Sequence, residues 1–138
     1  MTIHIRPFEE TDEPAVVALW TAVFNYPAPH NEPSLAMRRK LAVQRELFLV
    51  AVENNQVVGT VMGGYDGHRG WIYSLAVSPD HRRRGIGTAL MRHIEHALRE
   101  RDCPKINLQV LAANAGTVAF YQKLGYRVEE RVSMGKVL

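Results

Sequence analysis

The sequence predicts an α/β (α+β) domain built on a mixed, mostly antiparallel central sheet with helices on both faces. Three observations carry this expectation. Two turn signals, Asn54-Asn55 and Asp66-Gly67, join three successive strand-like runs as hairpins. The stretch from Trp71 to Leu111 then reads strand, helix, strand, which requires a parallel pair with a right-handed crossover. The helix within it is strongly amphipathic: Leu90, Ile94, Ala97 and Leu98 fall on one face, with Arg92, Glu95, Arg99 and Glu100 off it.

The elements follow in order. Thr2 to Phe8 alternates into Pro7, as a short edge strand does. Thr11 is placed to cap a helix whose first turn holds Asp12, Glu13 and Pro14, with Val16, Leu19, Trp20 and Val23 at helical spacing. Tyr26 to Pro33 is rich in proline and breaks it. Ser34 to Glu46 reads as a second helix. Leu47 to Val52 is apolar at every position, a strand, and Val57 to Met62 returns beside it. Trp71 to Val77 is the next strand, ended by Ser78-Pro79-Asp80. Gly87 to Arg101 is a helix stopped by Pro104, Ile106 to Leu111 a strand, and Asn114 to Leu124 a helix closed by Gly125 as a left-handed cap. Tyr126 to Val137 reads as terminal strand structure.

The 138 residues form one expected domain, 1–138, since a chain of this size buries roughly 70% of its unfolded surface without staples. Seventeen basic and fourteen acidic residues give +3, less than a duplex-coating protein usually carries. The lone Cys103 excludes an intrachain disulfide and any zinc site built on several thiolates. His93 and His96 lack a third ligand, so no metal is expected. No run approaches the ~20 apolar residues that span a bilayer, and the N-terminus has no signal-peptide stretch. A cytoplasmic protein without membrane partners is expected.

The most informative stretch is Val77 to Thr88, Val-Ser-Pro-Asp-His-Arg-Arg-Arg-Gly-Ile-Gly-Thr, between a strand end and a helix start. The first N–H groups of a helix have no internal partner, and its dipole points the positive end outward. Gly85 and Gly87 let backbone approach an anion closely, and Arg82, Arg83 and Arg84 add charge. The combination suits a polyphosphate. A P-loop is excluded because no Lys-Ser/Thr follows in register, and a dinucleotide fingerprint is excluded because position 90 is Leu. What fits is Arg82-x-x-Gly85-x-Gly87.

Together with Leu75-Ala-Val-x-Pro79 upstream and Asn114-Ala-Gly-Thr-Val-Ala-Phe-Tyr-Gln-Lys-Leu-Gly-Tyr126 downstream, this loop resembles the GNAT family of acetyl-coenzyme A-dependent N-acetyltransferases. The resemblance covers essentially the whole chain. Gly59 to Gly70 and Cys103-Pro-Lys-Ile are similar to a bacterial subgroup of the YpeA type. The resemblance implies a sheet splayed between strands four and five, and acetyl-coenzyme A as co-substrate. Leu75, Ala76 and Val77 would meet the pantetheine arm through backbone, as a substitute strand. Arg82, Arg83, Arg84, Gly85, Ile86, Gly87 and Thr88 would hold the pyrophosphate. Asn114 would bond to the arm, besides serving as an N-cap, and Tyr121 would be the general acid that protonates the departing thiolate. Phe120 and Leu124 would face the core. A homodimer through the terminal strand region is a further expectation of the same kind.

The reaction implied is direct attack of a primary amine on the thioester. A lysine-like amine at pKa about 10.4 is scarcely neutral at pH 7, a penalty near 4.6 kcal/mol, against about 1 kcal/mol for an α-amine. Many members of the family place a carboxylate on the fourth strand to help, but Trp71-Ile-Tyr-Ser-Leu-Ala-Val77 has none. The candidates to replace it are Tyr73, as base or water relay, or a water relay to Glu32, Glu46 or Asp66. Phe24, Tyr26 and Tyr73 are the substrate-binding candidates, and the amine acceptor is unidentified. A non-catalytic acyl-coenzyme A-binding module is the alternative. A nucleic-acid partner is not expected, because the basic triplet lacks interleaved stacking aromatics.

Overall fold

The computed structural model describes residues 2–24 and 32–138. They divide into two compact units, one running to Leu108 and one spanning Gln109–Leu138. The first unit contains β1 (His4–Pro7), α1 (Glu13–Val23), α2 (Pro33–Leu41), β2 (Phe48–Glu53), β3 (Gln56–Tyr65), β4 (Gly70–Val77), α3 (Ile86–Arg99) and β5 (Ile106–Leu108). The sheet order is β1-β2-β3-β4-β5, antiparallel throughout except for the parallel β4–β5 pair.

The apolar run of β2 is buried on both sides, and its alternation splits the core in two. Phe48 and Val50 join Phe8, Val16, Leu19, Trp20, Met37 and Met62 under α1 and α2. Phe8 and Phe48 stack at 4.4 Å and Trp20 lies 5.9 Å from Phe48, so the aromatic rings fill the volume between helix and sheet. On the opposite face α3 buries Ile86, Leu90, Met91, Ile94 and Leu98. Two glycines of β3 allow the close approach. A Cβ on Gly63 would lie 2.7 Å from Ile94, and one on Gly59 would lie 2.9 Å from Leu90 Cδ1 and 3.1 Å from the Ala76 carbonyl oxygen.

Strand β4 carries a bulge. Thr60 pairs with Ala76 and Met62 with Tyr73, so one intervening residue of β3 faces two of β4, Ser74 and Leu75. Ser74 takes φ +54. The buried Thr60 hydroxyl donates to the Ser74 carbonyl (2.9 Å) and accepts from Trp20 Nε1 (2.8 Å). The bulge shifts the side-chain alternation, so Tyr73 and Ala76 both face the α1 side, opposite Met62 and Thr60.

Several local expectations are corrected. Thr11 does not cap α1: a 3-10 turn, Glu10–Asp12, precedes the helix. The Asp12 carboxylate takes the Glu9 N–H (2.8 Å) and a two-armed bond from Arg6 (2.8 and 2.9 Å), which a hydroxyl cannot match. The second helix ends at Leu41 rather than Glu46. Beyond Met62 strand β3 has outrun β2, and residues in the last turn of α2 and just after it supply the missing ladder bonds. Lys40 Nζ donates to the Gly63 carbonyl (2.5 Å), and Gln44, left-handed at φ 51, exchanges two bonds of 2.9 Å with the Tyr65 backbone. Strand β5 stops at Leu108 rather than Leu111.

The second unit holds α4 (Ala115–Lys123), opened by Asn114, whose Oδ1 accepts the Thr117 N–H at 3.2 Å, and followed by left-handed Gly125 at φ 97. Tyr126–Leu138 forms no strand, contrary to the sequence reading. A strand exists only where a partner edge supplies ladder bonds, and within residues 109–138 there is none. Val128, Val132, Met134 and Val137 are exposed there.

Gly59→Ala is expected to destabilise the protein by about 1–3 kcal/mol, because the added methyl meets a backbone oxygen that cannot rotate away. Urea unfolding checks it, and an unchanged midpoint would show that α3 can shift freely on the sheet.

Candidate active site

The site expected from the sequence begins where β4 leaves its parallel neighbour. Gly70, Trp71 and Ile72 pair with Ile106, Asn107 and Leu108, and there the pairing stops. Strand β4 continues through Tyr73, Ser74, Leu75, Ala76 and Val77, and among the described residues no strand pairs with these five on that side. This is the splay between strands four and five. It presents an open backbone edge that an extended ligand can complete.

The chain then passes directly into the loop. Pro79–His81 makes a 3-10 turn, and Arg82 is extended (φ −71, ψ 160). Arg83 and Gly85 are both left-handed, at φ 62 and 78, flanking Arg84. Such a change of hand at alternate residues turns successive N–H groups into a common concavity suited to an anion. The α3 ladder opens with Ala89 N–H to the Gly85 carbonyl (3.0 Å). The N–H groups of Ile86, Gly87 and Thr88 therefore have no acceptor among the described residues. No atom lies within 4 Å of where a Gly85 Cβ would stand.

The three arginines differ. All three are exposed, but Arg84 forms a two-armed ion pair with buried Glu53 at the end of β2, with Nη1 3.2 Å from Oε1 and a closer contact of Nη2 with Oε2. The Arg84 guanidinium holds the Glu53 carboxyl below its usual range. Sequence reasoning missed Glu53. Its one signal is an acidic residue that ends an apolar strand and is buried there.

Tyr73 is 54% exposed on the α1 side of β4. Partial burial, then the Asp66 carboxylate, push its phenol pKa up, so the hydroxyl is held in its neutral form at neutral pH. The three carboxylates named as relay partners are engaged elsewhere. Glu32 caps α2 through the N–H groups of Ser34 (3.1 Å) and Leu35 (3.0 Å). Asp66 closes the β3–β4 turn by accepting from Arg69 and His68 N–H, 2.8 Å each, which lower its pKa. Glu46 meets Arg101 at 2.7 Å, and its own backbone N–H first, then Arg101, hold its pKa down.

Phe24 ends α1 and packs half-buried against the α1 core, its ring 6.5 Å from Trp20. Tyr26 lies outside the described residues. In the second unit Tyr121 is the buried residue of α4, edge-on to Phe120 (5.1 Å) and Tyr126 (5.6 Å), and burial pushes its pKa up to about 12. Phe120 and Leu124, expected on the core face, are only partly buried, because that place is taken by Tyr121. Asn114 is exposed and uses its side-chain oxygen as the helix cap, leaving its amide NH2 for another partner. Among the described residues no group of three His, Cys, Asp or Glu is arranged to hold a metal, and no helix is long and apolar enough to cross a membrane.

The family model described as acetyltransferase (GNAT) matches residues 13–126. An acetyltransferase of Pectobacterium atrosepticum is 44% identical over 136 residues, 99% of this chain and 96% of the relative. Among solved structures, Ard1 from Thermoplasma volcanium is similar at TM-score 0.81 and 27% identity, covering 94% of this chain and 85% of Ard1. The PaiA N-acetyltransferase of Thermoplasma acidophilum, solved in complex with coenzyme A, shares the fold at TM-score 0.82 and 17% identity, covering 96% of this chain and 94% of its own.

Gly85→Ala is expected to destabilise the protein by about 1 kcal/mol through backbone strain alone, since the methyl itself meets nothing. Gly85→Asn, whose side chain tolerates the left-handed region, should recover part of the loss in denaturant unfolding. Equal stability of the alanine variant would mean that the loop relaxes to another conformation.

Proposed function

The chain belongs to the GNAT family of acetyltransferases and is an acetyl-coenzyme A-dependent N-acetyltransferase, and from that premise we propose a role for each residue of the site. The observation that carries the proposal is continuity: the open edge of β4, residues 73–77, runs straight into the amide concavity of residues 83–88. A cofactor with an extended amide-bearing arm and a diphosphate needs those two features in that order. Leu75, Ala76 and Val77 hold the pantetheine arm by backbone bonds, and the N–H groups of the loop hold the diphosphate. Exposed Arg82 and Arg83 supply charge to the phosphates, while Arg84 contributes its backbone. Asn114 reaches the arm with its free amide NH2.

The acceptor is a primary amine on a small molecule or a protein, attacking as the free base. Its nitrogen bonds to the thioester carbonyl carbon, its extra proton leaves to water through Tyr73, and the C–S bond then breaks. Tyr121 gives its phenolic proton to the departing sulfur and regains one from solvent. An ordinary phenol stands about 1.5 pK units above a thiol. Burial raises both the Tyr121 phenol and a thiolate released beside it, so the gap stays bridgeable. Phe24 and Tyr26 contribute to the acceptor wall. We take the two units as one acetyltransferase domain, a reading supported by a family match that spans both. A cytoplasmic enzyme that pairs through the exposed apolar residues of 126–138 completes the proposal.

A panel of amines and peptides in a thiol-release assay with acetyl-coenzyme A tests the function. Tyr121→Phe is expected to lower kcat by about 10²- to 10⁴-fold while changing the KM for acetyl-coenzyme A little. Unchanged turnover would remove Tyr121 from the reaction. The raised pKa also fixes the pH profile. With the phenol near 12, kcat should show no decline up to pH 10, where an ordinary tyrosine would be about half ionised. Stability tied to the neutral phenol is complete below about pH 10 and lost as pH rises toward 12.

A further inference from the structure

The shape of the loop has a cause outside the loop. Glu53, the last residue of β2, is 6% exposed, and two loop residues converge on it from a sequence separation of about thirty. The Arg84 guanidinium meets both carboxylate oxygens, and His81 Nε2 stands 3.8 Å from Oε1. His81 Nδ1 is buried with no partner among the described residues, so the ring's polar contact in this cluster is the one to Glu53. His81 and Arg84 bracket Arg82 and Arg83, which make no ion pair among the described residues. Around Arg84 the backbone must hold a left-handed arginine at 83 and a left-handed glycine at 85. A non-glycine residue in that region is strained by about 1 kcal/mol or more and persists only where its surroundings fix it.

We propose that Glu53 is a positioning residue for acetyl-coenzyme A: it anchors Arg84 and His81 so that the amides of residues 83–88 face outward to receive the diphosphate. The inference rests on the reading of that loop as the diphosphate site. It makes Arg84 an anchor, with its side chain turned away from the ligand. The two roles for Arg84 predict opposite signs. A carboxylate near a polyanion repels it, so if Arg84 bound phosphate directly, neutralising Glu53 would free the guanidinium and tighten cofactor binding. If Glu53 shapes the loop, neutralising it weakens binding although repulsion is removed.

The test measures coenzyme A binding by calorimetry, together with the KM for acetyl-coenzyme A and kcat, on the full chain and on Glu53→Gln, Arg84→Gln and the double variant. Glu53→Gln is expected to raise both Kd and KM about tenfold with kcat at saturation within about twofold, since a charged hydrogen bond carries that order of coupling. The double variant should be no weaker than Arg84→Gln alone, because both substitutions break one contact. Should Glu53→Gln fold poorly by its melting temperature, Arg84→Lys keeps the charge but loses one arm of the fork, and about threefold weaker binding is expected. Coenzyme A binding to Glu53→Gln that equals or exceeds the unsubstituted protein, or undiminished binding by Arg84→Lys where that variant stands in, would overturn the positioning role and leave the loop assignment intact. No binding to the unsubstituted protein would overturn the loop assignment itself.

Discussion

The site depends on how β4 departs from the sheet, and that departure is fixed by one buried hydrogen-bond relay. Trp20 Nε1, the Thr60 hydroxyl and the Ser74 carbonyl form a chain of 2.8 and 2.9 Å bonds from α1 to the bulge. Each of these polar groups is satisfied by the next, which matters because an unpaired buried group costs about 1–3 kcal/mol. The relay ties the one irregular point of β4 to the aromatic core. It thereby holds the strand's free edge where β5 has already ended at Leu108. A regular strand would put Tyr73 and Ala76 on opposite faces; the bulge puts both on the α1 side.

The other half of the site is set by α3 and by Glu53. Helix α3 starts where it does because Gly59 and Gly63 let Leu90 and Ile94 seat against the backbone of β3. A dipole end and unpaired amides at the start of that helix would be of little use if the preceding loop wandered. The Glu53–Arg84 ion pair ties the loop to the end of β2, so the amides proposed to receive the diphosphate are referenced to the sheet. Edge and loop are thus held by separate devices, one a neutral hydrogen-bond relay and one an ion pair.

Much of this was legible in the residues. Hairpin turns, the amphipathic α3 and the Arg82-x-x-Gly85-x-Gly87 pattern placed the run from β2 to β5 and the loop between β4 and α3, because each is a local signal with a local cause. What misled were features decided by distant partners. Thr11 lost the cap to Asp12 because Arg6 arrives from β1. The second helix was cut short because Gln44 is required at Tyr65, on a strand that has outrun its neighbour. Tyr126 to Val137 has the alternation of a strand but, within its own unit, no edge to pair with. Glu53 was invisible for the same reason: its meaning lies in Arg84, far along the chain.

The carboxylates constrain the acceptor more than the aromatic wall does. Glu32 is consumed in a helix cap, Asp66 in a turn and Glu46 in an ion pair with Arg101, and the last two are held below their ordinary pKa. Lowered carboxylates are weak bases, and Tyr73, shifted the other way, keeps its hydroxyl neutral at neutral pH. The penalty near 4.6 kcal/mol for deprotonating a lysine-like ammonium thus falls on a site whose three named carboxylates are already engaged. An amine already largely deprotonated near neutrality asks for only about 1 kcal/mol, and water passing Tyr73 can accept that proton. On the reading proposed above, an α-amine-like acceptor of low basicity asks less of this strand than a lysine side chain does.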